Sequence, residues 1–226
     1  MHELPPIDRQ PLDDATIVRL VGRPDPVILD VGCNDGEHTR RFLRLFPKGR
    51  VHAFEPDPRP RERFERTVRN ARAKLWPLAI AAQDGEAEFH MSSGEHAPGG
   101  PTKHAWDQSG SLRPPHKHRD IFPQVKFETT LRVRTMRLDT FAREQKLRRV
   151  DFLWADVQGA ESDLIAGAQE TLKMTRFLHT EYSNVELYAG QLGLSQLLEL
   201  LPDFEVVRRF PLDALLRNRR LAGPSR

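Results

Sequence analysis

"VILDVGCNDGEHT", residues 27–39, decides how this chain is read. Three apolar residues, Val27, Ile28 and Leu29, run into Asp30. Two glycines follow, Gly32 and Gly36, with Asn34 and Asp35 between them. A short apolar run bounded by turn residues reads as a strand buried on both faces. The next segment, "EHTRRFLRLF" (37–46), reads as a helix stopped by Pro47 and Gly49. Strand, glycine-bearing turn and helix, in that order, commonly bind a nucleotide. A dinucleotide fingerprint, G-x-G-x-x-G, would seat a pyrophosphate on the helix N-terminus. Here position 34 is Asn, and Asp35 and Glu37 surround the turn, so a phosphate is repelled.

Outward from that stretch the pattern repeats. "LDDATIVRLVGRP" (12–24) reads as a helix, with Asp13 or Asp14 near its N-terminus and Gly22 to Pro24 ending it. "RVHAF" (50–54) is a second strand, "PRERFERTVRNARA" (60–73) a charged helix, and "KLWPLAIA" (74–81) a third strand interrupted or edged by Pro77. "GEAEFHMS" (85–92) is an added arm, and 125–138 returns to a strand pattern. "DTFAREQKL" (139–147) is a short helix with Asp139 as its expected N-cap. Strands at 150–157, 176–183 and 204–210 alternate with helices at 159–174 and 194–202. The alternation predicts an α/β fold, a mostly parallel sheet with helices on both faces. Residues 93–124, rich in His, Pro, Gly and Ser, read as a long loop or lid. The expected organisation is an N-terminal extension and helix (1–24), one domain (25–210) and a basic tail (211–226); no convincing seventh strand is read after 210, where the sheet is short at that edge or the tail is atypical.

Bulk properties narrow the class. The chain has 226 residues, 38% hydrophobic and 30% charged, enough for one buried core. No apolar run approaches the ~20 residues that span a bilayer. "MHELPPIDRQ" lacks the basic-then-apolar pattern of a secretory signal. One cysteine, Cys33, excludes an internal disulfide framework and fits a reducing cytoplasm. A net charge of +3 permits an anionic partner without demanding one.

Four strands finish in, or one residue before, a carboxylate: Asp30, Glu55, Asp156 and Glu181. Ligands of open parallel sheets bind beyond the carboxyl ends of the strands. A single acid there reads as a helix cap; four on one rim read as a polar pocket. Such a rim suits a ligand carrying ammonium, sulfonium and ribose hydroxyls but no phosphate, and S-adenosylmethionine is such a ligand. In this reading Gly32 and Gly36 let the backbone approach its amino-acid end. Asp30 orients that end, directly or through water. Glu55 accepts both ribose hydroxyls, and its spacing of 25 residues from Asp30 fits one strand-helix-strand unit.

The motifs "ILDVGCNDGEHT", "VHAFEPDP", "LAIAAQDGEAEF", "MRLDTFARE", "DFLWADVQGAESDLIAGA" and "HTEYSNVELYAGQ" occur in an order that resembles the FkbM-type S-adenosylmethionine-dependent methyltransferases, over about residues 25–205. The resemblance implies a class I methyltransferase fold and O-methylation of a sugar or other small hydroxylated metabolite. It carries over Asp30, Gly32, Asn34, Gly36 and Glu55 as cofactor contacts, with Gln83 or Asp84 near the adenine. The chain departs from the family where a lysine-hydrophobic pair usually precedes the fourth-strand Asp: it has Trp154-Ala155.

A hydroxyl attacks a sulfonium methyl well only as it loses its proton, so a general base is expected. Asp156 is the first candidate and Glu181 the second. With Asn184 they also offer oxygen ligands for Mg²⁺. His179, on the face of Glu181, reads as a packed histidine, Trp154 as core, and Cys33 as a small filler. Trp106 is a candidate to stack on a sugar. His96, His104, His116 and His118 invite a zinc reading, or a lid histidine acting as base. The rival functions are a nucleic-acid methyltransferase, suggested by the basic helix 59–74 and the tail from Arg208, and a non-catalytic cofactor-binding scaffold. No membrane span is expected, and the sequence carries no signal for the oligomeric state.

Overall fold

The structure, a computed structural model, describes residues 4–94 and 106–221. In chain order the elements are α1 (Asp14–Val21), β1 (Val27–Val31), α2 (Glu37–Leu45), β2 (Arg50–Phe54), α3 (Pro58–Thr67), β3 (Ala73–Trp76), β4 (Ala79–Ile80) and β5 (Gly85–Gly94). There follow α4 (His118–Ile121), β6 (Val125–Met136), α5 (Leu138–Glu144), β7 (Phe152–Ala155), α6 (Glu161–Ala166) and α7 (Gln169–Lys173). The chain closes with β8 (Phe177–Glu181), α8 (Leu194–Leu200), β9 (Phe204–Arg209) and β10 (Asp213–Asn218).

Seven strands form one sheet in the order β3-β2-β1-β7-β8-β10-β9. The first five run parallel, so their C-terminal ends share one rim. β10 is antiparallel to both neighbours. Side chains alternate across the central strands: Leu29, Val31 and Leu153 enter one core layer, Ile28, Phe152 and Trp154 the other. Burying each such apolar side chain contributes roughly 1.5–3 kcal/mol, which is why the central strands read as continuous apolar runs. Among the described residues no helix is long and apolar enough to cross a membrane.

The ends of several elements differ from the sequence reading, each for a local reason. Residues 211–226 are not all tail. Ala214, Leu215 and Leu216 are fully buried in β10, the seventh strand of the sheet. That apolar trio is short and sits before the arginines that dominated the reading. Residues 74–81 split at Pro77: β3 joins the large sheet, and β4 joins a second, three-stranded sheet in the order β4-β6-β5. The helix read over 159–174 breaks into α6 and α7 at Gly167, where a Cβ would lie 2.0 Å from the Ala81 carbonyl oxygen. The helix read over 60–73 ends at Thr67, because Asn70 turns the chain to bring Ala73 beside Val51.

Two caps are exchanged. Asp139 does not cap its own helix; its carboxylate accepts from the Glu170 and Thr171 amides at 3.0 and 2.8 Å and starts α7. The start of α5 is held by Asp84, which accepts from the Arg137 amide at 2.7 Å and the Thr140 hydroxyl at 2.8 Å. Asp13 does cap α1, accepting from the Thr16 amide at 2.8 Å.

Candidate active site

The turn after β1 is built on left-handed backbone. Gly32, Asn34 and Gly36 have φ of 80°, 46° and 85°. A Cβ on Gly32 would lie 1.8 Å from the Asp156 carbonyl oxygen, so only glycine lets β1 and β7 end side by side. A Cβ on Gly36 would meet the Phe64 ring at 2.5 Å, so this glycine lets α2 pack against α3. Asn34 fastens the turn in three ways. Its amide donates to Glu55 Oε2 at 3.0 Å, its side chain donates to the Asp107 carbonyl at 3.1 Å, and its Oδ1 accepts from the Asp35 amide at 2.8 Å.

Glu55, at the end of β2, is buried and also accepts from the Asp57 amide at 2.8 Å. Burial pushes its pKa up to about 8, against the pull of those two amides. The turn and Glu55 line a cavity of about 390 Å³, together with Leu78, Ile80, Phe89, Trp106 and Leu112. Asp30 and Gly36 are not in its wall. Asp30 is fully buried behind the turn, accepts from the Thr39 hydroxyl at 2.5 Å, and is pushed by burial up to about 7. Its other oxygen has no hydrogen-bond partner among the described residues.

At the far end of the same cavity stand Asp156 and Glu181. One side-chain amide joins them: Gln158 Nε2 donates to Asp156 Oδ1 at 2.7 Å and to Glu181 Oε2 at 2.8 Å. The Gln158 carbonyl oxygen faces the Tyr188 hydroxyl at 3.1 Å, and its backbone carbonyl accepts from the Ser111 hydroxyl at 2.7 Å. Gln158 holds a left-handed φ of 51°, followed by Gly159 at 90°, and this turn aims its side chain back at the strand ends. Burial raises both carboxyls. Glu181 rises further, because Asp156, Glu161 and Asp213 all repel its charge. Fewer carboxylates crowd Asp156 than Glu181, and it accepts the shorter bond from the Gln158 amide, so Asp156 is the stronger candidate base.

The structure thus brings Gly32, Asn34, Glu55, Asp156 and Glu181 to one cavity and places Asp30 and Gly36 behind it. Gln83 and Asp84 are elsewhere: both are exposed and absent from the cavity wall, Asp84 being committed to α5. Leu78, Ala79 and Ile80, the three residues after Pro77, line the cavity instead. Trp154 is core, covered by His38 and His179 at ring separations of 4.1 and 3.9 Å. Cys33 is buried, and burial raises its thiol.

The Mg²⁺ reading finds no support: Asn184 is exposed, Gln158 occupies the space between the acids, and no metal-binding group is assembled among the described residues. His116 lies on the surface beside Glu186, whereas His118 is buried against Phe122, Phe127 and Tyr188. These two do not converge, and His96 and His104 lie outside the described residues. Sequence reasoning missed Gln158, Tyr188, Asp107 and Asp213. The motifs carried a local signal for two of them, Gln158 in "DVQGAE" and Tyr188 in "HTEYSNVELYAGQ".

The donor set fits S-adenosylmethionine. Glu55 keeps lone pairs for two hydroxyls, and the wall near Leu78 and Ile80 is apolar enough for an adenine. Comparison with known proteins agrees. The profile of the methyltransferase FkbM domain matches residues 30–215. The chain belongs to the FkbM family of methyltransferases. This methyltransferase is 49% identical over 210 residues to the 2-O-methyltransferase NoeI of Sinorhizobium fredii, covering 91% of this chain and 84% of that one. It is 27% identical over 150 residues to Methyltransferase 1 of Beauveria bassiana, covering 65% of this chain and 59% of that one. A solved FkbM methyltransferase from Methylobacillus flagellatus shares the fold, with TM-score 0.53 and 13% identity over 86% of this chain. The methyltransferase spans 44% of that longer chain.

Proposed function

We propose that this chain transfers a methyl group from S-adenosylmethionine to a hydroxyl of a sugar or another small hydroxylated metabolite. The observation that carries the reading is the Asp156–Gln158–Glu181 bridge at the end of the cavity that starts at Glu55. The likeness to a 2-O-methyltransferase over most of both chains supports an oxygen acceptor.

S-adenosylmethionine supplies an electrophilic methyl on a sulfonium. Glu55 would hold the ribose hydroxyls and the Gly32–Asn34 turn the amino-acid end, with Asp30 behind that turn. With the cofactor bound, Asp156 would take the hydroxyl proton as the acceptor oxygen displaces the methyl from sulfur, S-adenosylhomocysteine being the leaving group. The Gln158 amide, anchored also on Glu181, fixes the Asp156 carboxyl for that task. Near-attack placement supplies much of the remaining acceleration.

The nucleic-acid reading fares worse. Arg59, Arg63 and Arg66 are bound to Asp57, Asp107 and Glu62, and Arg208, Arg217 and Arg220 to Asp8, Glu205 and Asp203. Charges neutralised at home release few counterions on a phosphate backbone. The lone buried cysteine suits a reducing compartment such as the cytoplasm. Calorimetry with S-adenosylmethionine, followed by mass-spectrometric detection of methyl transfer to a panel of sugars, tests the function. Tight cofactor binding with no transfer to any hydroxyl overturns the catalytic reading in favour of a scaffold.

A further inference from the structure

A second cavity, of about 440 Å³, adjoins the first. The two share His38, Asp156 and Glu181. Its floor is a row of rings: His38 against Trp154, Trp154 stacked on His179 at 3.9 Å and 8°, and His179 beside Phe210 at 5.9 Å. Trp154 and His179 are register partners on β7 and β8, so the sheet itself sets the stack. The outer wall is the N-terminal segment from Asp8 to Leu12. That strap is tied at both ends. Ile7 bridges to Arg209 and the Asp8 carboxylate pairs with Arg208, while Arg41 donates to the Leu12 carbonyl and to Asp14.

Two observations say what the cavity takes. His179 is 5% exposed, and its Nδ1 has no hydrogen-bond partner among the described residues; His38 Nδ1 is in the same condition. An unpaired buried nitrogen carries a desolvation cost that a hydrogen-bonding ligand offsets. Burial holds His179 down to about 3, so its ring is neutral and takes either a donor or an acceptor. Four carboxyl groups also line the space, Asp8, Asp156, Glu181 and Asp213, against Arg9 and an Arg41 already engaged with Asp14. An anion is disfavoured there; a ring of hydroxyls, each both donor and acceptor, satisfies acids and imidazoles alike. The volume falls within the roughly 300–1,000 Å³ of small-ligand sites.

We propose that this second cavity holds the methyl acceptor as an uncharged pyranose, with the N-terminal strap as its outer wall. The proposal rests on the methyl-transfer reading above and adds the acceptor's place and charge. Asp156 and Glu181 face both cavities, so an acceptor hydroxyl directed at Asp156 also points toward the cofactor space. A third cavity, of about 290 Å³ and lined by Phe122, Val125, Leu187 and Leu212, also reaches Glu181. It too holds an unpaired imidazole nitrogen, His118 Nδ1, but it has one carboxyl group, Glu181, against four in the second cavity, and it does not reach Asp156.

The test uses cysteine labelling of the full chain, whose own Cys33 is buried. A bulky maleimide on Gln10→Cys cuts turnover of methyl hexopyranosides about tenfold or more and leaves S-adenosylmethionine affinity within about twofold. The same label on Gln124→Cys, in the third cavity, leaves both intact. His179→Phe keeps the ring stack but removes the nitrogens, and raises KM for the same glycosides about tenfold with kcat within about threefold. Full turnover by labelled Gln10→Cys protein, or loss of turnover only on labelling Gln124→Cys, overturns the placement. Preference for hexose 6-phosphates overturns the charge assignment. If unlabelled protein binds S-adenosylmethionine yet methylates no hexopyranoside, the pyranose proposal fails. If it binds no S-adenosylmethionine, the methyl-transfer reading fails first.

Discussion

On the β1–β2 side of the rim, Glu55 is gripped by two backbone amides, those of Asn34 and Asp57. On the β7–β8 side, Asp156 and Glu181 are gripped by one side-chain amide, that of Gln158. The first grip is local. It follows from a turn whose glycines and Asn34 adopt positive φ, and from Asp57 two residues beyond the carboxyl. The second is assembled from a distance: Tyr188, Ser111 and the β10 residue Asp213 all bear on it. A site held by backbone tolerates side-chain change around it. A site held by one amide depends on that amide and has a proton equilibrium that the amide controls.

The comparison breaks most readily at Asp156. Asp156→Asn is expected to lower kcat about 10²–10⁴-fold while S-adenosylmethionine affinity changes only a few-fold, measured by turnover and calorimetry. Equal loss of both would mean the two halves are one structural unit. Glu55→Gln is expected to act the other way, weakening cofactor binding about 10–100-fold through loss of charged hydrogen bonds, with kcat at saturation much less affected.

Gln158→Ala sharpens the contrast. Its amide favours the ionised form of Asp156, so its loss raises that pKa. The acid limb of the pH–rate profile should move to higher pH, with kcat falling about tenfold. An unmoved profile would assign Gln158 to packing alone.

The smallest effect is the pH dependence of binding. Glu55 in the free protein sits at about 8, and its ionised form is the better partner for ribose hydroxyls and a cationic ligand. S-adenosylmethionine affinity should therefore rise several-fold from about pH 6.5 to 8.5, with proton release seen by calorimetry in two buffers. The same raised pKa means the folded chain holds more protons than the unfolded one between about 4.5 and 8. Its contribution to unliganded stability falls as pH rises through that window.

The cofactor half of the rim was legible in the sequence because its parts are neighbours. "LDVGCNDG" and "AFEPDP" each contain a strand end, a turn and a carboxylate, and strand pairing aligns them. Gln83 and Asp84 were misplaced because Pro77 moves the chain into another sheet, a redirection that no residue count after β3 reveals. Asp139 and Asp84 each carry the residue type of a cap, but which helix each caps depends on which amide the fold brings near. β10 was hidden because its three buried apolar residues are too few to stand out before the arginines that follow.

By itself the sequence determined the parallel α/β order, the four strand-end acids and the glycine turn, since these follow from periodicity and backbone freedom within a few residues. Only the tertiary structure decided that Asp30 stands behind the cavity rather than in it, that Gln158 joins Asp156 to Glu181, and that the N-terminal strap closes a second cavity beside them. Those outcomes depend on contacts between residues distant in the chain, and such contacts leave no period or spacing to read.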